Sequence, residues 1–216
     1  MAKRIKQYSE AELIKLFNLE KSKISSPLME EWLNTRTTLT EIEKYIFDEI
    51  LQTAIENIEA WNEEDLKMNF ISFVLKLGNL TPTKNIRTFF DRIIEGKVAG
   101  CPLRVKIDFM IAIGILDMPE KPYFHFQEYK RHIDPNGNPL AQLLTAMLIA
   151  QEINSNTKPI YGCSIVGKYW DFVILYQNAY YVSASYDCTD SDKLKAIIAI
   201  LRNFRNILEN RLIDSK

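Results

Sequence analysis

Glu128 and Lys130 stand two residues apart in the segment Tyr-Phe-His-Phe-Gln-Glu-Tyr-Lys that ends at Lys130. Aromatic and polar residues alternate there with a period of two, the pattern of a β-strand. Side chains two apart share a strand face, so Phe124, Phe126, Glu128 and Lys130 form one row. The phenylalanines mark that row as inward, yet it ends in a carboxylate and an ammonium. Unpaired charge is costly to bury, and such groups gather at functional sites. Upstream, Asp108 lies inside Arg104–Ala112, a second apolar strand. An acid on one strand and Glu-x-Lys on the next suit metal-assisted phosphodiester hydrolysis. A hard cation takes oxygen ligands, and an ammonium stabilises developing negative charge. The competing reading is a plain structural salt bridge at a strand end.

The elements that must position these residues are legible in outline. Ser9 can cap a helix through Phe17, and Pro27 interrupts the pattern. Thr40 precedes Glu43 in a capping-box arrangement. Ile42, Ile46, Ile50, Ala54 and Ile58 then predict a helix with one buried stripe. Asn62 caps the next helix, whose stripe is Leu66, Phe70, Phe73 and Leu77. Strands are expected over Phe89–Ile94 and Leu103–Ala112, with a turn at Glu95-Gly96-Lys97 between them. Pro119 and Pro122 predict a loop over Asp117–Pro122. After the Glu128/Lys130 strand comes a turn over Asp134–Pro139 and a helix over Leu140–Ile153. Strands over Ile160–Val166, Tyr169–Tyr176 and Tyr180–Ser185 precede a final helix over Ser191–Ile213. The fold class is α/β (α+β), a mixed sheet flanked by helices. Residues 1–60 read as an N-terminal helical extension and 61–216 as the core.

Asp108 followed by Glu128-x-Lys130, on strands between two helices, resembles the PD-(D/E)xK nuclease superfamily. The resemblance covers roughly Trp61–Val166, and the element order α-β-β-β-α-β matches that family's restriction-endonuclease-like core. It implies a DNA-cleaving enzyme using Mg²⁺ (or Mn²⁺). Asp108 and Glu128 would hold the metal, and Lys130 would position water or stabilise charge. A further acid often sits on the family's first core helix. Here Glu63 lies beside the apolar stripe, whereas Glu64 points away. Acids in a first turn also favour the helix dipole without further purpose. Related nucleases place a glutamine where Gln142 stands, at the start of the helix after the Glu-x-Lys strand. The tyrosine that follows four residues later in some of them is replaced by Ala146.

Composition narrows the alternatives. The chain has 216 residues, 47% hydrophobic and 25% charged, which suits one globular domain. Its net charge of −1 argues against a purely electrostatic nucleic-acid binder. Residues 81–132 nevertheless carry 9 Lys+Arg against 6 Asp+Glu, a net of +3 around the candidate site. Cys101, Cys163 and Cys188 are too scattered for a zinc or disulfide framework. His125 falls on the strand face opposite Glu128, and His132 is in phase with Lys130 near the strand end. With these as the two histidines, histidine-based chemistry is disfavoured. Tyr161, Tyr169, Trp170, Tyr176, Tyr180, Tyr181 and Tyr186 are either base-stacking surfaces or half-buried strand formers. No apolar run is long enough for a bilayer and no signal peptide is visible, so a cytoplasmic location without membrane contact is expected. The rival to catalysis is a noncatalytic nuclease-fold module that binds nucleic acid or protein. In either case the N-terminal helices could join a homodimer or a protein partner.

Overall fold

Capping side chains start most of the helices in the computed structural model, which describes residues 6–22, 26–84, 86–131, 138–155 and 158–213. Ser9 caps α1 (Glu10–Phe17), and the two-residue strand β1 (Glu20–Lys21) follows. Ser26 caps α2 (Pro27–Leu33), and Thr40 with Glu43 forms the expected box on α3 (Glu41–Asn57). Asn62 caps α4 (Glu63–Leu66), which runs through a π-helical turn (Lys67–Ile71) into α5 (Ser72–Leu77). Three long strands come next: β2 (Arg87–Val98), β3 (Cys101–Ile115) and β4 (Met118–Lys130). Helix α6 (Pro139–Ile153) leads to β5 (Ile160–Val166), β6 (Tyr169–Tyr176), β7 (Ala179–Val182) and β8 (Tyr186–Asp187). Helix α7 (Ser191–Ile207) closes with a π-helical turn (Leu208–Leu212).

The strands form one mixed, eight-stranded sheet in the order β1-β7-β6-β5-β4-β3-β2, with β8 also paired to β6. The β4–β5 and β1–β7 pairs are parallel and the others antiparallel. Helix α6 is the crossover that the parallel β4–β5 pair requires. Helices flank the sheet. One apolar core holds Trp32, Phe47, Phe70, Val74 and Phe204 from the helices, with Phe109, Tyr129, Tyr161 and Phe172 from the sheet. The other joins Leu13 of α1 and much of α6 to Ile107, Met110, Phe126 and Val173. Trp32 is fully buried and its indole N–H donates to the Ile200 carbonyl. Residues before 60 therefore contribute to both cores as well as to the sheet.

Four local expectations need correction. The hairpin turn lies at Ala99-Gly100, not Glu95-Gly96-Lys97. Both turn residues have positive φ, 47° and 81°, while Gly96 pairs with Leu103 within the strand. A Cβ on Gly96 would meet Ile149 of α6 at 3.1 Å, so this glycine serves close packing. Strand β4 also begins at Met118, so Pro119 and Pro122 lie inside it. Pairing with β5 starts only at His125, which leaves the proline-bearing stretch with a single neighbour, and proline is tolerated there. A third correction concerns the strand row. Ile111 pairs with His125 but Ala112 with Tyr123, so Phe124 is an extra residue in a bulge. The phase slips, Phe124 packs in the core opposite Phe126, and the row beside Glu128 begins at Phe126.

The fourth correction is to the helical stripes. The π-turn inserts one residue, so Val74 takes the buried place expected for Phe73, which is 42% exposed. On α3, Phe47 is buried while Ile42 is 75% exposed. His132 and most of the turn expected over Asp134–Pro139 lie outside the described residues.

Candidate functional site

The β3–β4 ladder stops at Phe109–Gln127, and the strands part there. Beyond that point β3 stays paired with β2 and β4 stays paired with β5. A backbone amide freed at such a fork needs another acceptor. Asp108 supplies one: its Oδ2 accepts the Tyr129 N–H at 2.8 Å. The fork thus fixes the Asp108 carboxylate beside the backbone that carries Glu128 and Lys130.

Glu128 is 1% exposed. Its Oε1 accepts from Lys130 Nζ at 2.8 Å and from Gln142 Nε2 at 2.7 Å. Its Oε2 is buried and has no hydrogen-bond partner among the described residues. Burial first, and the Asp108 charge second, push the Glu128 carboxyl up to about 8 despite the Lys130 ammonium. Lys130 also donates to the Tyr129 carbonyl at 3.0 Å and lies 3.6 Å from Glu63 Oε2. Burial would lower its pKa, but the surrounding carboxylates, Glu128 foremost, raise it. Glu63, Asp108, Glu128, Lys130 and Gln142 are thereby drawn together from α4, β3, β4 and α6. Glu64 is the more exposed of the two helix acids and touches Lys67.

Sequence reasoning gave no role to Lys67, which stands at the centre of the arrangement. Its ammonium is 2.9 Å from Asp108 Oδ1, 3.2 Å from Glu63, 3.4 Å from Glu64 and 3.7 Å from Asp91. Burial alone would lower its pKa; hydrogen bonds and charge from Asp108, then Glu63, raise it instead. The available signal was its place four residues after Glu63, on the same helical face. Asp91 was missed as well. It sits on β2 at φ 52°, between the Phe90–Phe109 and Arg92–Ile107 pairs, and also meets Lys106 at 3.0 Å. Aspartate tolerates that left-handed conformation better than most residues.

The donors suit a hard divalent cation in chemistry. Glu63, Asp108 and Glu128 offer carboxylate oxygens, and the orphan Oε2 of Glu128 is a buried acceptor without a donor. Their present arrangement is neutralised internally, with the Lys67 and Lys130 ammoniums between them. Among the described residues no group of three or more His, Cys, Asp or Glu side chains is gathered closely enough to hold a metal ion.

Behind the fork runs a buried polar chain. Tyr129 Oη donates to Gln127 Oε1 at 2.6 Å, and Gln127 Nε2 lies 3.0 Å from His125 Nε2. His125 is fully buried among Trp32, Phe109 and Phe204, on the face away from Glu128. Burial pulls its pKa down to about 3, so it is neutral at ordinary pH. Cys163 and Cys188 are buried free thiols. No helix among the described residues is long and apolar enough to cross a membrane. Neither a protein-family model nor a curated protein sequence matches the chain.

Proposed function

We propose that this chain is a metal-dependent nuclease-fold protein that hydrolyses phosphodiester bonds of DNA, with a restriction-endonuclease-like core. One observation carries the reading. A nearly inaccessible glutamate, Glu128, keeps one oxygen unpartnered among the described residues while Lys130 and Gln142 hold the other, beside the carboxylates of Asp108 and Glu63. An unmet buried polar atom costs roughly 1–3 kcal/mol, a cost that a bound cation would offset.

Asp108, Glu128 and Glu63 are the residues that would hold Mg²⁺ or Mn²⁺, which supplies charge neutralisation at phosphoryl oxygens and a more acidic water. The chain's own groups do the rest. The Tyr129 amide and the Gln142 carboxamide fix the orientation of Asp108 and Glu128. Lys130 presents its ammonium to the attacking water and to the charge that develops on the phosphoryl group. The test is incubation of supercoiled and linear DNA with Mg²⁺ or Mn²⁺, comparing the wild type with Asp108→Ala and Lys130→Ala. Cleavage by the wild type alone supports the assignment, whereas equal cleavage by all three removes these residues from the mechanism.

A second reading rests on Lys67. A cation already supplied by the chain to Glu63 and Asp108 suits a noncatalytic nuclease-fold module that binds nucleic acid or a protein partner. In that case the exposed Ile42 and Tyr45 of α3 offer apolar contact to a partner or a second copy. Retained DNA or protein binding without saturable divalent-metal binding would favour this module.

A further inference from the structure

A cavity of about 570 Å³ opens just past the end of β4, lined by Ile58, Glu59, Arg131, Lys168, Tyr169 and Asp171 among others. Its floor is the β5–β6 turn at Gly167-Lys168, and the Gly167 N–H donates to the Lys130 carbonyl at 2.8 Å. The cavity therefore begins one peptide from the candidate catalytic lysine. Ile58 and Glu59 of its wall, in the turn that follows α3, lie just before the helix that carries Glu63.

The lining is mixed in a specific way. Arg131 is exposed and makes no ion pair among the described residues. Lys168 is held by Asp187 at 3.4 Å, a partly exposed pair that exchanges readily for another anion. Tyr169 is 48% exposed, whereas Tyr161, Trp170 and Tyr180 of the same aromatic-rich region are buried. Asp171 accepts from Ser185 Oγ through Oδ1. Lys168 Nζ also lies over the Tyr169 ring, 5.5 Å from its centre, so a cation and a half-exposed aromatic ring stand side by side. Two cations, that ring and carboxylate acceptors match a nucleotide: an anionic phosphate joined to a flat base that carries N–H donors. Gly167 keeps the floor low. Its φ is +56°, and a Cβ there would stand 3.0 Å from the Arg131 carbonyl.

We infer that this cavity binds one nucleotide of a DNA strand held at the Asp108–Glu128 site, with its phosphate on Arg131 and Lys168 and its base on Tyr169. The inference rests on the nuclease reading and assigns that site a neighbouring subsite. The test is fluorescence anisotropy with a short fluorescein-labelled single-stranded DNA in EDTA, which prevents cleavage. Circular dichroism melting checks that each variant is folded. Arg131→Ala and Tyr169→Ala should each weaken binding about tenfold, and Tyr169→Phe, which keeps the ring, should stay within about twofold of wild type. In cleavage assays both alanine variants should raise KM and leave kcat nearly unchanged. Wild-type binding and cleavage with both alanine variants unaffected would overturn the subsite alone. No DNA binding by the wild type, in EDTA or with Ca²⁺, would overturn the subsite together with the nuclease reading.

Discussion

The Lys67 ammonium lies 2.9 Å from the Asp108 carboxylate and occupies the space between that acid and Glu63. An acid that is 7% exposed is thus neutralised by a lysine from the π-helical turn after α4. Replacing Lys67 with Met leaves Asp108 buried without this partner. Breaking such a pair is strongly destabilising. Because Lys67 is partly exposed, the expected loss is about 2 kcal/mol, below that of a fully buried pair. A cation that binds only the folded state then restores stability in step with its concentration. Thermal melts of Lys67→Met should therefore respond more strongly to Mg²⁺ than wild-type melts. An identical Mg²⁺ response in the two proteins would count against Lys67 standing in a cation position.

Gln142 reaches Glu128 through one hydrogen bond of 2.7 Å. On the proposed nuclease reading it is a positioning residue, acting through the carboxylate that it holds. Gln142→Leu should change global stability by about 1 kcal/mol, the usual worth of such a bond. The metal concentration for half-maximal DNA cleavage should rise about tenfold or more, with Gln142→Glu failing to rescue because it adds a second carboxylate. Metal titration of cleavage alongside urea unfolding separates the two effects. An unchanged metal dependence would remove Gln142 from the site.

His125 makes stability depend on pH. It is buried and neutral, with its pKa pulled from 6.5 to about 3 by burial. Between those values the unfolded chain binds a proton at this residue and the folded chain does not. Unfolding therefore takes up a proton, and stability falls as pH drops from about 6.5 towards 3. The slope from this one group approaches about 1.4 kcal/mol per pH unit. Other groups titrate in the same window, so the measure is the difference between the wild type and His125→Phe. Urea unfolding at a series of pH values should show a steeper acid loss for the wild type. Parallel curves would refute the assignment.

The π-turn at Lys67–Ile71 reverses the roles of two neighbours in the following helix. Val74→Ala should cost about 2 kcal/mol, because Val74 is fully buried. Phe73→Ser should stay within about 0.5 kcal/mol of wild type, as substitutions at exposed positions do. Denaturant midpoints decide it, and the opposite order would restore an unbroken α-helical phase.

Where local chemistry dictated local structure, the sequence was readable. Ser9, Thr40 and Asn62 cap the helices they precede, and Ile160–Val166 and Tyr169–Tyr176 are strands to the residue. Asp108, Glu128 and Lys130 stood out because charge interrupted apolar strands. What escaped was each place where one residue is added. Periodicity has no term for the bulge at Phe124 or for the π-turn, and each breaks the phase between the residues before it and those after it. Gly96 misled because glycine serves close packing as readily as a turn, and the helix it packs against is more than forty residues away in sequence. Lys67 and Asp91 escaped because a lysine on a helix and an acid on a strand are ordinary until the fold makes them neighbours.

The parting of β3 and β4 has a mechanical consequence. Asp108 belongs to a two-stranded ribbon that ends in the Ala99-Gly100 turn, whereas Glu128 belongs to the continuing sheet. The two acids ride on the separate legs of a pair of callipers whose pivot is the Phe109–Gln127 pair. The Tyr129 amide on Asp108 is the catch between the legs, and the close seat of the ribbon on α6 at Gly96 and Ile149 holds their spacing.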